Sequence, residues 1–324
     1  MALKHEPISL EEINAARERI AGRAVRTPLI RLNVEDAPGE IWLKLENLQP
    51  IGSFKIRGAV NALAQMEPSE LSEGVWTASA GNMALGAAWC ARQMGLECTV
   101  VVPDTAPEAK VAPLRRLGAT IVPVSLDEFF ETFSTRRREG MKGAFLHAFS
   151  DRRVMAGNGT IGLEILEDLP DVDAILVPFG GGGLSCGIAS AVRGVAPRVK
   201  VFACEPETAC PFTRSFGARR EVEGTFERSF IDGAGGPHLY PEMYELASRL
   251  LDGSFALAVD AVAEAVRLMV ERNRVVAEGA GALPVAAALE GRAGRGRVCC
   301  VVSGGNIDNA VLASILLGTF ATRQ

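Results

Sequence analysis

Gly180, Gly181, Gly182 and Gly183 stand in a row, after a strand-like apolar run at 174–177 and before a helix-like run at 184–192 that begins with Leu184. Without Cβ atoms between them, successive amides converge on one anion, and the helix that comes next presents the positive end of its dipole. Such a turn suits a phosphate, and four glycines are more than a plain turn needs. In Ser53, Phe54, Lys55, Ile56, Arg57 and Gly58 an amine is set among apolar side chains. Desolvation lowers the pKa of such an amine and makes it a nucleophile; taken alone, the same segment reads as an exposed lysine at a helix start. Ser79, Ala80, Gly81 and Asn82 separate another apolar run from a helix-like stretch that starts at Met83. Their amides and hydroxyl either cradle a carboxylate or simply cap the helix. Ser303, Gly304, Gly305 and Asn306 follow the run at 298–302, and Glu278, Gly279, Ala280 and Gly281 follow the helix-like 259–273. A lysine, an anion-binding turn and Ser/Asn loops at strand ends together point to one ligand that carries a phosphate and polar ring atoms.

Other chemistries fit less well. The three histidines, His5, His147 and His238, have no metal ligand or triad partner at a recognisable spacing. Acid and base work therefore falls on Lys55. A dinucleotide-dependent oxidoreductase is one alternative, because Glu205 closes the next strand-like stretch, where a ribose-binding acid would stand. The glycine register opposes it: counted from Gly180 or Gly181, the third glycine of G-x-G-x-x-G falls on Ser185 or Cys186. A non-catalytic cofactor-binding protein is the other alternative.

These segments need a scaffold. Ser9, Leu10, Glu11 and Glu12 make a capping box that opens an amphipathic helix running to Ile20. Strands are predicted at 41–45, 75–78, 98–102, 120–124, 174–177, 200–203 and 298–302, with Ala-rich helical segments such as 84–94 and 259–273 between most of them. Strands alternating with helices predict the doubly wound α/β class, with largely parallel sheets whose ligands sit at the carboxyl ends of strands. No linker or short-period repeat divides the chain, so domain boundaries are invisible to composition.

At 324 residues the chain is longer than one core usually grows, which favours two domains sharing a cleft. With 48% hydrophobic and 23% charged residues it is neither disordered nor fibrous. A net charge of −5 argues against a nucleic-acid partner, and the short basic run Arg136, Arg137, Arg138 reads as the solvated face of a helix. Seven cysteines without a C-x-x-C pair argue for a reducing compartment, and the adjacent Cys299 and Cys300 read as buried strand residues. Residues 1–6 contain no apolar stretch, so no secretory signal and a cytoplasmic location are expected. The uncharged stretch 174–192 is long enough to resemble a membrane span, but Pro178 and the four glycines make it a strand, loop and helix instead.

The set of motifs resembles the fold-type II pyridoxal phosphate enzymes, most closely the threonine and serine dehydratase branch that also contains serine racemase. The resemblance runs from Arg26, Thr27, Pro28 and Leu29 to the Ser303 motif, nearly the whole chain. It implies a tryptophan-synthase-β-like fold of two doubly wound domains with the cofactor, pyridoxal 5'-phosphate, in the cleft. Residues 74–150 would be the small substrate-carboxylate domain, inserted between 1–73 and 151–324 of the large one. Lys55 would anchor the cofactor, with Phe54 beside it and the phosphate on Gly180 to Gly183 and Leu184. Ser79, Ala80, Gly81, Asn82 and Met83 would take the substrate carboxylate, Asn82 also reaching the ring hydroxyl. Glu278 would line the cofactor pocket and Ser303 face the pyridine nitrogen. A neutral hydroxyl there cannot hold a protonated ring as a carboxylate would, which makes the cofactor a restrained electron sink and favours β-elimination over transamination. The implied reaction is dehydration and then deamination of a 3-hydroxy amino acid such as threonine or serine to a 2-oxo acid and ammonia; the alternative is an amino acid racemase, or a dehydratase specific for 3-hydroxyaspartate or phenylserine. A homodimer is expected.

Three positions depart from the family pattern. Racemases of the family have a second serine where Ala80 stands, so racemisation is not expected. The usual histidine after the Gly-Asn pair is Met83, which drops a polar contact and changes the substrate pocket. In the family's cation site Glu205 and Ala209 match, but Pro211 replaces a carboxylate, so the need for a divalent or monovalent cation is left open. Because the chain stops soon after Ser303, a C-terminal regulatory domain and feedback by an end-product amino acid are not expected.

Overall fold

The computed structural model describes residues 5–321. Part of the stretch read as lacking a secretory signal, residues 1–4, lies outside them. Strand and helix alternate as the apolar runs require. The strands, in chain order, are β1 (Leu29–Arg31), β2 (Glu40–Leu45), β3 (Val75–Ala78), β4 (Cys98–Pro103), β5 (Thr120–Val124), β6 (Ala144–Phe145), β7 (Ala174–Pro178), β8 (Lys200–Pro206), β9 (Gly253–Leu257) and β10 (Arg297–Val302). Helices α1 (Leu10–Ile20), α2 (Lys55–Leu63) and α3 (Pro68–Leu71) precede β3. Helices α4 (Asn82–Met94), α5 (Glu108–Arg116), α6 (Leu126–Thr135) and α7 (Arg152–Asp168) lie between β3 and β7. After β7 come α8 (Gly183–Val195), α9 (Pro211–Ala218), α10 (Pro241–Leu250), α11 (Val259–Asn273), α12 (Gly279–Leu289) and α13 (Asn309–Leu316).

Two sheets result, with strand orders β1-β2-β10-β7-β8-β9 and β5-β4-β3-β6. Every pairing is parallel except that of β1 with β2. A parallel strand buried on both faces is apolar throughout, and all five residues of β7 are buried. Alternation sends Cys299 and Cys300 of β10 to opposite sides of the six-stranded sheet. Both are fully buried, as are the other five cysteines or nearly so, and all seven are free thiols. α1, α7, α8 and α10 cover one face of this sheet and α11 and α12 the other.

The capping box opens α1 as read, with Ser9 accepting from the Glu12 amide and the Glu12 carboxylate from the Ser9 amide. Three strands escaped the sequence reading: β1, β6 and β9. Two are only two or three residues long, and β9, Gly-Ser-Phe-Ala-Leu, is half-buried at an edge without period-two alternation. The arginine run needs correction. α6 ends at Thr135, and Arg136 closes it with a left-handed φ of 57°, so the run leaves the helix instead of lining it. The Arg136 guanidinium turns inward to donate to Ser150 Oγ. The uncharged stretch 174–192 is a strand, a loop and a helix, and no helix among the described residues is long and apolar enough to cross a membrane.

Candidate active site

Lys55 is the first residue of α2, and the chain before it is sewn to the end of β10. Phe54 N donates to Ser303 O at 2.9 Å, Gly305 N donates to Gly52 O at 2.9 Å, and Ser53 bridges Gly304. The Lys55 amine donates to Ala148 O at 2.7 Å and stands 5.0 Å from the centre of the Phe54 ring. Burial pushes its pKa down to about 8, against the pull of the Glu278 charge. The desolvated-amine reading is thus the one that fits this position, and the exposed-lysine reading does not.

The four glycines leave β7 and enter α8, whose first turn carries no side-chain cap. Its leading amides have no partner within the helix, and Leu184 lies in that turn. Side chains would close the cradle. A Cβ on Gly181 would fall 2.1 Å from the Phe149 ring, one on Gly183 2.6 Å from Phe149 O, and Gly182 holds a φ of +84°. Ser53 Oγ, buried two residues from Lys55, has no hydrogen-bond partner among the described residues. An uncapped glycine cradle, an amine of lowered pKa and an orphan hydroxyl fit a phosphate-bearing aldehyde cofactor.

Asn82, Glu278 and Asn306 are joined across the space between the sheets. Asn82 Nδ2 donates to the two Glu278 carboxylate oxygens at 2.8 and 3.1 Å, and Asn306 Nδ2 donates to Asn82 Oδ1 at 2.7 Å. Glu278 N donates to Gly304 O at 3.0 Å, which sets the acid beside the Ser303 turn. Burial raises the Glu278 carboxyl to about 7, with the Asn82 hydrogen bond opposing. Of the loop before α4, Ser79 Oγ accepts from Gly81 N at 3.2 Å, Ala80 is half-buried and Gly81 is exposed. Met83 is instead buried in the core of the four-stranded sheet, among Ile56, Ala59 and Ala87.

Glu205 does other work. Its carboxylate accepts from Phe212 N at 3.2 Å and from Thr213 N and Oγ1 at 2.7 Å each, closing the start of α9, where Pro211 is the first residue. Burial raises it to about 7. Those bonds occupy the oxygens a ribose would need, which removes the ground for the dinucleotide reading. Among the described residues no three His, Cys, Asp or Glu side chains gather as a metal would require, and Ala209 lies beside Gly235.

The sequence reading missed two parts of the site. Ala148 and Phe149, which hold the Lys55 amine and wall the glycine cradle, lie in a stretch without a motif. Residues 232–236 also come in: Gly233 O is 3.3 Å from where a Gly180 Cβ would be, and a Cβ on Gly233 would stand 3.3 Å from Glu278 Oε1. Gly235 N donates to Phe179 O at 2.7 Å. The Asp-Gly-Ala-Gly-Gly composition marked a loop, but nothing local placed it between the glycine turn and Glu278.

A family model described as pyridoxal-phosphate dependent enzyme matches residues 20–304. The chain belongs to this family. An L-threonine ammonia-lyase of Thermotoga maritima is 40% identical over 95% of this chain and 78% of its own length. The catabolic L-threonine dehydratase TdcB of Escherichia coli strain K12 is 37% identical over 95% of this chain and 96% of its own. The solved structure of maize serine racemase superposes with a TM-score of 0.87, covering 97% of this chain and 98% of that one at 29% identity. The fold is that of the type II pyridoxal phosphate enzymes, and pyridoxal phosphate is the cofactor of this enzyme.

Proposed function

We propose that this enzyme eliminates water from a 3-hydroxy amino acid, threonine or serine, and that the enamine so formed takes up water and releases ammonia to give a 2-oxo acid. The observation that carries the reading is the Lys55 amine, lowered in pKa and held at Ala148 O between the glycine cradle and Glu278. Amides of Gly180, Gly181, Gly182, Gly183 and Leu184 would take the phosphate, Ser303 the ring nitrogen and Asn82 the ring hydroxyl. When bound, pyridoxal phosphate supplies an acceptor for the electron pair left at the substrate α carbon. Lys55 would remove the α proton, its amine lowered by burial from the ordinary lysine value, and the β-hydroxyl would leave as water on taking up a proton at the phosphate end of the site. Ser79, Gly81 and Asn82 orient the carboxylate so that the α C–H faces the amine. The small domain at 74–150, the cytoplasmic location and a homodimer complete the proposal, supported by cysteine usage and by family resemblance.

Racemisation requires a second proton donor on the other face of the α carbon, and the Ala80 methyl has none. Elimination without racemisation is therefore the expected outcome with L-serine or L-threonine, although serine racemases share the fold. Release of 2-oxo acid from a panel of 3-hydroxy amino acids, followed alongside chiral chromatography, tests both parts. No 2-oxo acid from any of them refutes elimination, inversion at the rate of 2-oxo acid formation refutes the role of Ala80, and Ala80→Ser is expected to raise inversion.

A further inference from the structure

Helix α2 presents Lys55 to the site, and two positions later, about 200° further round the helix, Arg57 faces the opposite way. Arg57 is 1% exposed, and with Lys44, Glu46 and Glu164 it forms a buried cluster of two cations and two anions. Its guanidinium grips Glu46 with Nε and Nη2, both at 2.8 Å, and Glu164 with Nη1 and Nη2 at 2.6 and 2.9 Å. It also donates to Thr160 Oγ1 and Val25 O, each at 3.1 Å. Lys44 Nζ stands 2.6 Å from Glu164 and donates to Thr27 O at 2.7 Å. One turn on from Arg57, Asn61 donates to Arg153 O of α7 at 2.7 Å.

Such a cluster is a poor device for stability alone, since well-packed apolar side chains commonly do as well or better. What it supplies is direction. A bidentate fork on two carboxylates, one before α2 and one on α7, resists rotation of α2 about its axis. α7 in turn is wedged between α2 and the helix of the glycine turn: a Cβ on Gly157 of α7 would fall 2.4 Å from Arg57 O of α2, and one on Gly187 of α8 2.4 Å from Met155 O of α7. The lysine helix, α7 and the cradle helix thus stack with backbone nearly on backbone.

We propose that Arg57 is a positioning residue, which fixes the rotation of α2 and so holds the Lys55 amine at Ala148 O, facing the glycine cradle. This rests on the reading of Lys55 as cofactor anchor, which borohydride reduction of the wild-type holoenzyme and mapping of the labelled lysine test separately. A label on another lysine overturns that reading and this inference together.

With the label on Lys55, the test of Arg57 is Arg57→Lys, which keeps the charge and loses the fork, beside Val262→Ala. Val262 is buried on the far face of the six-stranded sheet and serves as a control for lost stability. The readouts are the rate at which added pyridoxal phosphate becomes borohydride-fixed on Lys55, the pH midpoint of the bound cofactor's absorption, and kcat against KM. Arg57→Lys is expected to slow attachment and lower kcat by about ten- to hundred-fold, the effect of an ångström-scale misplacement, to move the pH midpoint, and to leave KM nearly unchanged. Val262→Ala should alter none of these. Wild-type attachment and kcat in Arg57→Lys, or losses in Val262→Ala that match its own in proportion to Tm, overturn the proposal. Should Arg57→Lys fail to fold, Glu164→Gln, which leaves the Glu46 fork in place, is read by the same criteria.

Discussion

Gly181 and Gly81 stand at the two ends of the site, and they tolerate opposite things. A methyl group on Gly181 would lie 2.1 Å from the Phe149 ring, whereas one on Gly81 would meet nothing within 4 Å. The first belongs to a wall where α2, α7 and α8 approach closely through glycines, β7 delivers an uncapped turn and the Phe149 ring closes against it. The second belongs to a wall that reaches the site through side chains: Asn82 on Glu278, Lys110 on Asp232, and Phe133 with its ring 5.7 Å from Phe149 and 6.0 Å from Tyr240. α2 takes part in both, its Arg57 side facing α7 and its Ile56 and Ala59 sharing the core under α4. The difference separates two tasks. On the proposed assignment, a phosphate and a ring of fixed shape would be met by the tighter surface, and a substrate that comes and goes by the one with room.

That contrast can be broken at the lysine between the walls. Lys55→Ala is expected to lower turnover by about a thousand-fold or more while leaving part of the cofactor bound through the glycine cradle. Activity and absorbance after gel filtration would check it, and retained turnover would remove Lys55 from the chemistry. Next in size is the acid that joins the walls. Glu278 is raised from 4.5 to about 7, so its neutral form favours the fold: the contribution is complete below about pH 4.5 and is lost as pH rises to about 7. Urea unfolding of the cofactor-free chain across that window should therefore lose stability with rising pH, up to about 3 kcal/mol of it through Glu278; Glu205, also raised to about 7, contributes in the same window, so Glu278→Gln should reduce the slope without abolishing it.

The two glycines sharpen the comparison. Gly181→Ala should cost about 1–3 kcal/mol of cofactor affinity, about five- to hundred-and-fifty-fold in an equilibrium titration, because ring and loop must move apart. Unchanged affinity would mean that the cradle is softer than its packing. Gly81→Ala should leave cofactor affinity alone and change stability by only about 0.5 kcal/mol, the difference between glycine and alanine at a helix N-cap.

The same division governs what could be read from the chain. The backbone-built wall was legible because it is local: four glycines between a strand and a helix, a lysine with apolar neighbours, a serine at a strand end. Strand assignments held for the buried runs for the same reason, each being largely apolar over its own length, Lys44 in β2 being an exception. Contacts between distant segments left no such trace. Nothing around Phe149 announces that its ring walls a turn some thirty residues further on, and residues 232–236 look like any glycine-rich loop. Nothing local marks Lys44, Glu46, Arg57 and Glu164 as partners, because only the fold brings opposite signs together inside. Arg136 misled in the other direction, since a run of like charges suggests a wet helix face, and the left-handed residue that ends α6 turns the chain away before that face can form.

The cysteines have a consequence in the test tube. Burial pushes the thiols of Cys90, Cys98, Cys186 and Cys299 up to about 12, so at neutral pH the reactive thiolate is scarce. Alkylating reagents should find the folded protein nearly inert and react only as it opens. Cys90 and Cys98 belong to the four-stranded side, and Cys186 and Cys299 to the six-stranded side. Mass spectrometry of the first alkylated peptide would then report which of the two opens first, from a native chain that carries no added label.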